Sequence, residues 1–281
     1  MTITNLLVGG LGNQLFEIAT GWALAKDISC NYVLCYTNFI PIGGQGNNLP
    51  CYKDSIYKKI PICDSVEGFK RYNAKQFDYY PLVQDLSGSH SICLNGYFQS
   101  HKNFDKYRNE IRTLFSPDEG WASWLQENTN LMNEFPELFE EHDYVFMGVR
   151  RGDYLQNSYI HQPCGPIYYT KAMSKMKAER YYIASDDIEW CKLQFTGPQF
   201  YFFDISAKND LEQLAAMTLF KKYILSNSSF YWWGSYLSER SPCTVVVPDK
   251  WMTPPHDKEV WRRGNFLYRD DMIIVERPTE R

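Results

Sequence analysis

The chain has 281 residues, of which 44% are hydrophobic, 16% aromatic and 22% charged, and its formal net charge is −4 at pH 7. This length and hydrophobic content predict two folded domains of roughly 140 residues each and argue against disorder. Because charges of both signs are spread along the chain, the composition argues against nucleic acid as a partner. The sequence contains no run of about 18 apolar residues, and so it predicts no transmembrane segment.

The N-terminus and the cysteines bear on the cellular compartment. The first residues lack the basic start of a signal peptide, and none of the eight cysteines forms a C-x-x-C pair. We therefore expect a cytoplasmic protein, free or peripheral to a membrane, with reduced thiols. The five histidines show no zinc spacing, and so we expect no metal site.

The first half of the chain predicts a β–turn–α–β unit followed by helices. In chain order the pattern predicts a strand over 2–8, a glycine turn over 9–12, a helix over 13–26 capped by Asn13, a strand over 32–36, a surface excursion over 38–62, a strand over 92–98 and helices over 105–141. We expect these elements to form a first domain over residues 1–142.

The second half predicts a longer series of alternating strands and helices, which implies a parallel sheet. We expect it to form a second domain over residues 143–281. Its predicted strands are 144–149, 181–184, 199–203, 223–226 and 245–247, and its predicted helices are 168–177, 188–193, 210–222 and 229–237.

Polar segments follow the predicted strands at four places. They are Gly9–Gln14, Arg150–Tyr154, Ser185–Asp187 and Asn227–Phe230. In open α/β sheets, ligands bind beyond the carboxyl ends of the strands. We therefore expect these four turns to converge on one crevice.

Two of these turns have the chemistry to bind an anion. Glycines at 10 and 12 allow backbone N–H groups to approach an anion at the start of a helix, although a tight turn without a ligand explains them too. Arg150 and Arg151 suit a diphosphate, because a guanidinium grips phosphate oxygens and stabilises a leaving group. Alternatively, one arginine pairs with Asp153 and orders the turn. For Arg151 this alternative is at least as good, because adjacent residues on a strand point to opposite sides.

The other two turns could hold the rest of a nucleotide. The carboxylate of Asp186 can accept hydrogen bonds from guanine, and Ser228 and Ser229 can hold phosphate at a helix start. The alternative for Ser185–Asp187 and for the serine pair is ordinary helix capping. The rings that follow Ser229 are mostly expected in the core.

Four segments resemble the motifs of the α-1,2-fucosyltransferases of glycosyltransferase family 11. GGLGNQLF over 9–16 is similar to their N-terminal signature, and VRRGDY over 149–154 to H-x-R-R-G-D-Y. SDDIEWC over 185–191 is similar to S-x-D-I-x-W-C/V, and ILSNSSFYWWG over 224–234 to I-x-A/S-N-S-S/T-F-S-W-W-G. The motifs come in the family's order.

The resemblance implies an α/β fold of the GT-B-like class, with two Rossmann-type domains facing a central cleft. It also implies an inverting, metal-independent transfer of L-fucose from GDP-fucose to a carbohydrate acceptor, expected to be an α-1,2 linkage to galactose. The first domain would lie on the acceptor side and the second would bind GDP-fucose. No cofactor is expected, and the chain contains no Asp-x-Asp metal signature.

The resemblance also assigns roles to residues. Arg150 would hold the β-phosphate and stabilise its charge. Apart from the resemblance, Asp153 and Glu17 are candidates for a general base, if the reaction needs one. Asp186 would read guanine. The remaining donor-binding residues are expected to be Gly12, Asn13, Gln14, Arg151, Ser185, Asn227, Ser228, Ser229 and Phe230.

Two departures from the family pattern leave alternatives open. Gly148 stands where the family has His. Because it shares a strand face with Arg150, a His there would be expected to face the nucleoside, unless a ring from Phe230 or Tyr231 fills that space. Glu17 stands where the family usually has Gln. It is either a gained carboxylate or a neutral swap at the surface, and we favour the swap. A different nucleotide-sugar donor, or a non-catalytic binding protein of the same fold, remains an alternative function.

Overall fold

The computed structural model describes residues 1–36, 39–40, 52–74, 90–203, 209–240, 242–253 and 267–278. These residues form two compact units. One unit comprises residues 1–118 together with 267–269, and the other comprises residues 119–253 together with 270–278. Of the excursion predicted over 38–62, residue 38 and residues 41–51 lie outside the described residues.

The first unit is built around a parallel sheet. Its strands are β1 (Thr2–Val8), β2 (Asn31–Tyr32), β3 (Leu34–Cys35), β4 (Phe39–Ile40), β5 (Ile62–Cys63), β6 (Lys70–Asn73) and β7 (Ile92–Asn95). The main sheet has the order β2-β1-β7-β6, β4 also pairs with β1, and β3 and β5 form a separate parallel pair. Its α-helices are α1 (Leu11–Asp27) and α2 (Arg108–Phe115). The predicted β–turn–α–β start is confirmed.

The second unit carries a six-stranded sheet in which every adjacent pair is parallel. Its strands are β8 (Val145–Val149), β9 (Tyr181–Ser185), β10 (Phe200–Phe202), β11 (Lys222–Leu225), β12 (Thr244–Pro248) and β13 (Met272–Val275). Its helices are α3 (Trp121–Asn128), α4 (Leu131–Glu134), α5 (Gly152–Gln156), α6 (Pro166–Lys175), α7 (Ile188–Gln194), α8 (Asp210–Met217) and α9 (Ser229–Tyr236).

The strand order of the second sheet is β10-β9-β8-β11-β12-β13. This is the doubly wound order in which the third, second, first, fourth, fifth and sixth strands lie side by side. The chain leaves β8 toward one edge of the sheet and later returns to β11, from which it runs toward the other edge. The topological switch point therefore lies between β8 and β11, where such sheets bind their ligands.

The division between the units falls after residue 118 rather than after residue 142. Trp121 is fully buried, and its backbone N–H donates to Glu239 Oε1 at 2.6 Å. Arg240 donates to the carbonyl of Leu138 at 2.9 Å. The helices after residue 118 therefore belong to the second unit, and the expected boundary is corrected. Sequence periodicity shows that a helix buries one face, but it does not show which sheet that face packs against.

No helix within the described segments has the length and apolar character needed to cross a bilayer.

Candidate functional site

The switch point between β8 and β11 places two predicted segments side by side. Gly148 pairs with Leu225 in the sheet register, so Arg150 and Asn227 follow directly at neighbouring strand ends. The Arg150 N–H donates to Ser226 Oγ at 3.1 Å, which links the two turns. The polar segments after β8 and β11 are thus brought together as expected.

Arg150 is the centre of a cluster of charges. Its Nη2 lies 2.7 Å from Asp153 Oδ1, its Nη1 lies 3.0 Å from Asp186 Oδ2, and its side chain is 30% exposed. Burial by itself would lower the pKa of Arg150, but the carboxylates of Asp186 and Asp153 reverse this and raise that pKa above its usual value. The site therefore keeps a permanent cation at the switch point, with part of its surface open to a ligand.

Arg151 binds a different set of groups. Its Nε donates to Asp187 Oδ2 at 3.0 Å, and its guanidinium carbon lies 3.8 Å from the centre of the Trp190 ring. The two arginines thus diverge, as adjacent residues of an extended segment do. In this structure Arg151 orders the turn, which is the alternative that the sequence left open. The pairing with Asp153 is made by Arg150 instead.

Asp186 accepts from the protein with both of its oxygens. Oδ1 accepts the Arg151 N–H at 2.8 Å, and Oδ2 pairs with Arg150. A Cβ on Gly152 would lie only 2.6 Å from Asp186 Oδ2, so glycine at 152 is what permits this approach. Asp186 is therefore not a helix cap, and its predicted role in reading guanine stays a prediction.

Capping does account for the two neighbours of Asp186. Ser185 is buried, and its Oγ accepts the Asp187 N–H at 2.9 Å. Asp187 in turn caps α7 by accepting the Trp190 N–H at 3.3 Å. Both side chains hold the strand end in shape.

Asn227 faces the protein interior. Its side chain is fully buried, and its Nδ2 donates to the carbonyls of Trp251 at 2.8 Å and Gln162 at 3.3 Å. Its Oδ1 accepts from Cys164 Sγ at 3.6 Å. The prediction that Asn227 contacts a donor is corrected, because its amide instead anchors two loops beside the site.

The start of α9 carries the other predicted phosphate ligands. Ser228 is the N-cap, with its Oγ 3.5 Å from the Tyr231 nitrogen. Ser229 and Phe230 follow in the first turn and are half-buried. The helix start therefore lies at the switch point, as expected, and Ser228 makes the capping contact that was the alternative reading.

Buried tyrosine hydroxyls hold the carbonyls at these strand ends. Four tyrosines make five such contacts: Tyr154 to Asn227 O at 2.8 Å, Tyr168 to Leu225 O at 2.5 Å, Tyr169 to Gly148 O at 3.4 Å, and Tyr231 to Val149 O at 3.4 Å and Ala184 O at 3.3 Å. Sequence reasoning missed this group. Its only trace in the sequence is the high tyrosine count of 21.

Tyr231 also settles the question of Gly148. A Cβ at 148 would lie 2.6 Å from Tyr231 Cδ2 and 2.7 Å from Cγ. These atoms belong to the rigid base of the ring, which cannot swing aside as a flexible chain end can. The expectation that a His at 148 would reach a nucleoside is wrong, because the Tyr231 ring already fills that space.

In the first unit, the glycine turn after β1 is held by its own side chains. Gln14 is fully buried, donates from Nε2 to Gly9 O at 2.9 Å and accepts from Tyr57 Oη at 3.0 Å. Gly12 is buried within α1. The expectation that Gln14 and Gly12 face a ligand is therefore corrected, since both are buried residues of α1.

Asn13 is the more accessible residue of this turn. It is half-buried, and its Oδ1 accepts from Gln99 Nε2 at 2.8 Å. The predicted capping by Asn13 is wrong, because α1 begins at Leu11 after Gly10 and no side chain caps it.

Glu17 is a fully buried carboxyl group in α1. Its Oε2 accepts the Val8 N–H at 2.9 Å, and its Oε1 has no hydrogen-bond partner among the described residues. Burial raises the pKa of Glu17 well above its usual value. The favoured reading of a surface swap is wrong, and a buried acid is also out of reach of an acceptor hydroxyl.

Within the described segments, no group of three or more His, Cys, Asp or Glu side chains is arranged to hold a metal ion.

Comparison with known proteins gives matches over most of the chain. The model of Glycosyl transferase family 11 matches residues 1–269. An alpha-1,2-colitosyltransferase from Escherichia coli is 27% identical over 273 residues, which cover 87% of this chain and 90% of that protein. The O-antigen biosynthesis glycosyltransferase WbnK of Escherichia coli is 24% identical over an alignment 289 residues long. This alignment covers 87% of this chain and 93% of that protein.

Solved structures of two further proteins also align with the chain. POFUT1 in complex with GDP aligns with a TM-score of 0.48 and 10% identity, covering 88% of this chain and 97% of that one. The fucosyltransferase NodZ from Bradyrhizobium aligns with a TM-score of 0.44 and 13% identity, covering 83% and 91%.

Proposed function

Because this chain belongs to glycosyl transferase family 11, we propose that it transfers L-fucose from GDP-fucose to a hydroxyl group of a carbohydrate, with inversion and without a metal ion. The observation that carries the proposal is the placement of Arg150 at the switch point of the doubly wound sheet, beside the start of α9. A cation and a helix N-terminus at this point suit a nucleoside diphosphate.

The proposed chemistry is electrostatic. The oxygen of the acceptor hydroxyl bonds to the anomeric carbon from the face opposite GDP, while the bond from that carbon to the β-phosphate oxygen breaks. Negative charge grows on the departing diphosphate, and the hydroxyl proton passes to water. Arg150 stabilises that charge, and preorganised donors of this kind often supply the largest part of a rate enhancement. Holding donor and acceptor together supplies much of the remainder.

The carboxylates around Arg150 imply an exchange of partners when the donor enters. In the structure Asp186 pairs with Arg150, whereas a diphosphate would bring a competing anion to the same guanidinium. We propose that Asp186 turns to the N1–H and 2-amino groups of guanine, which leaves Arg150 Nη1 for phosphate. Two charge-assisted contacts then replace one, and neither charge is left unpaired.

A second donor is favoured by one of the relatives. Its name, alpha-1,2-colitosyltransferase, indicates transfer of colitose with the same linkage position. Colitose is fucose that lacks the 3-hydroxyl group, so the same site could accept either sugar when linked to GDP. The proposed α-1,2 linkage rests on the family resemblance and on this name, and the proposed galactose acceptor rests on the resemblance alone.

The test is the variant Arg150→Lys, with Arg108→Lys as its matched control. Arg108 also pairs with an aspartate three residues away and has a similar exposure, 34% against 30%. Lysine keeps the charge but loses the planar fork. We expect Arg150→Lys to lower kcat/KM for GDP-fucose by about 100-fold or more, and Arg108→Lys to stay near wild type.

Donor identity is measured in the same assay. Wild-type protein is offered GDP-fucose, GDP-colitose and UDP-galactose with lactose as acceptor, and the released nucleotide is quantified. Turnover within about threefold of wild type for Arg150→Lys, a change well under 1.4 kcal/mol, would refute the role of Arg150. Turnover with UDP-galactose alone would refute the proposed donor, and binding of GDP without turnover of either GDP-sugar would favour a binding protein.

A further inference from the structure

Tyr231 connects the two strand ends that carry the charged cluster. It lies in the first turns of α9 and is 5% exposed. Its hydroxyl is 3.4 Å from the carbonyl of Val149, which immediately precedes Arg150. The same hydroxyl is 3.3 Å from the carbonyl of Ala184, two residues before Asp186. The hydroxyl therefore lies within hydrogen-bond range of a carbonyl next to each member of the ion pair, and it donates its single proton to one of them at a time.

The ring of Tyr231 lies directly against the backbone of β8. The space above Gly148 is filled by the base of this ring, to the point that any side chain at 148 would overlap it. The ring also contacts Phe146, with the ring centres 5.8 Å apart. The ring of Tyr231 is thus packed against β8, the strand whose end its hydroxyl contacts, and this packing leaves the ring little freedom to move.

The hydroxyl of Tyr231 acts only as a donor in this position. Burial, together with the nearby carboxylate of Asp186, raises the pKa of Tyr231 far above its usual value. The proton therefore stays on the oxygen throughout the range in which enzymes work. Its two neighbours are carbonyl oxygens, which can only accept.

We infer that Tyr231 is a positioning residue. The pairing of β8 with β9 holds the two strands together, and Tyr231 fixes the separation of Arg150 and Asp186 by holding the carbonyls of Val149 and Ala184 at the ends of those strands. The inference rests on the proposed function for its effect on the donor, because Arg150 and Asp186 are the groups proposed to bind GDP. Without the hydroxyl the ring still fills its space and the two strands stay paired, but the carbonyls of Val149 and Ala184 lose their shared donor. The consequence should appear on the donor side of the reaction only.

The experiment compares Tyr231→Phe with the matched variant Tyr223→Phe. Tyr223 is fully buried in the same unit, and its hydroxyl also contacts two carbonyls, those of Met217 at 2.8 Å and Phe220 at 2.6 Å. These carbonyls precede β11 and lie at the opposite end of that strand from the site. Both substitutions therefore delete one buried hydroxyl that contacts two carbonyls. They differ in the position of that hydroxyl, which lies beside the site in Tyr231 and away from it in Tyr223.

The two variants should melt at similarly lowered temperatures but differ in donor binding. Calorimetric titration with GDP should show a Kd raised about threefold to tenfold in Tyr231→Phe, the value of one hydrogen bond, and unchanged in Tyr223→Phe. The KM for GDP-fucose should rise in parallel, and the KM for lactose should not. Equal GDP affinity in the two variants would overturn the inference, and so would a loss that appears only in the KM for lactose.

A structural measurement keeps this result separate from the fate of the proposed function. If Arg150→Lys turns over GDP-fucose as wild type does, the role proposed for Arg150 has failed, but Tyr231 can still be judged. Crystal structures of wild type and Tyr231→Phe should show the Arg150 Nη1–Asp186 Oδ2 separation lengthened in the variant from its 3.0 Å. An unchanged separation would overturn the inference whatever the donor is.

Discussion

Replacement of Glu17 by glutamine should stabilise the protein, and the gain should grow as the pH rises. Glu17 is fully buried, and burial raises its pKa well above the ordinary value of 4.5. In the unfolded chain the carboxyl group loses its proton near that ordinary value, whereas the folded protein keeps it to a higher pH. A group whose folded pKa is raised contributes its stability in full below the unfolded pKa and loses it as the pH rises through the folded pKa.

The magnitude follows from this linkage. Between the two pKa values, each pH unit costs the wild type up to about 1.4 kcal/mol of unfolding free energy. Glutamine has no proton to lose, and its carbonyl oxygen can still accept the Val8 N–H that Glu17 accepts at 2.9 Å. The two proteins should therefore be nearly equal at about pH 4 and diverge above it, by an amount that reports the folded pKa.

Urea unfolding of wild type and Glu17→Gln at several pH values between about 4 and 8 measures this difference. Glu67→Gln is the control, because Glu67 is an exposed carboxylate of the same unit. Its difference from wild type should stay constant over the series. A difference between Glu17→Gln and wild type that does not change with pH would refute the reasoning, because it would mean that Glu17 ionises equally easily in both states.

Two further predictions concern the site. Gly148→His should overpack against the Tyr231 ring and lower the unfolding free energy by about 1–3 kcal/mol, with weaker GDP binding; a variant that melts like wild type and binds GDP more tightly in calorimetry would contradict this. Transfer from GDP-fucose should continue in excess EDTA, since the proposed mechanism uses the Arg150 guanidinium in place of a metal ion; loss of activity that manganese or magnesium restores would show that a metal is required.

The alternation of strands and helices in the second half of the chain predicted the parallel sheet correctly. It did not predict the strand order, because periodicity identifies a strand without naming its neighbours. The order became visible only in the pairing, where β8 lies between β9 and β11. The switch point, and hence the importance of Arg150 over other basic residues, follows from that order.

The positions of the polar turns were predicted better than the roles of their residues. Arg150 and Asp186 do meet at the strand ends, as expected. Asn227, Gln14 and Glu17 instead turn inward and are fully buried. A sequence motif shows that a residue type is required at a position, but it does not distinguish a side chain that binds a ligand from one that holds the backbone in place for others to bind.

The tyrosines explain why holding the backbone takes so many polar side chains at this site. At the end of a parallel strand, the neighbouring strand no longer supplies an N–H group to the last carbonyls. A buried carbonyl without a donor lowers the stability of the folded state. Tyrosine answers both needs, because its ring fills space beside the strand and its hydroxyl reaches the carbonyl. Burial raises the pKa of Tyr169 and Tyr231 well above the usual value, so these donors cannot be lost by ionisation. The contacts of these two tyrosines with the strand-end carbonyls should therefore be insensitive to pH, whereas the stability of the first unit, through Glu17, should not be.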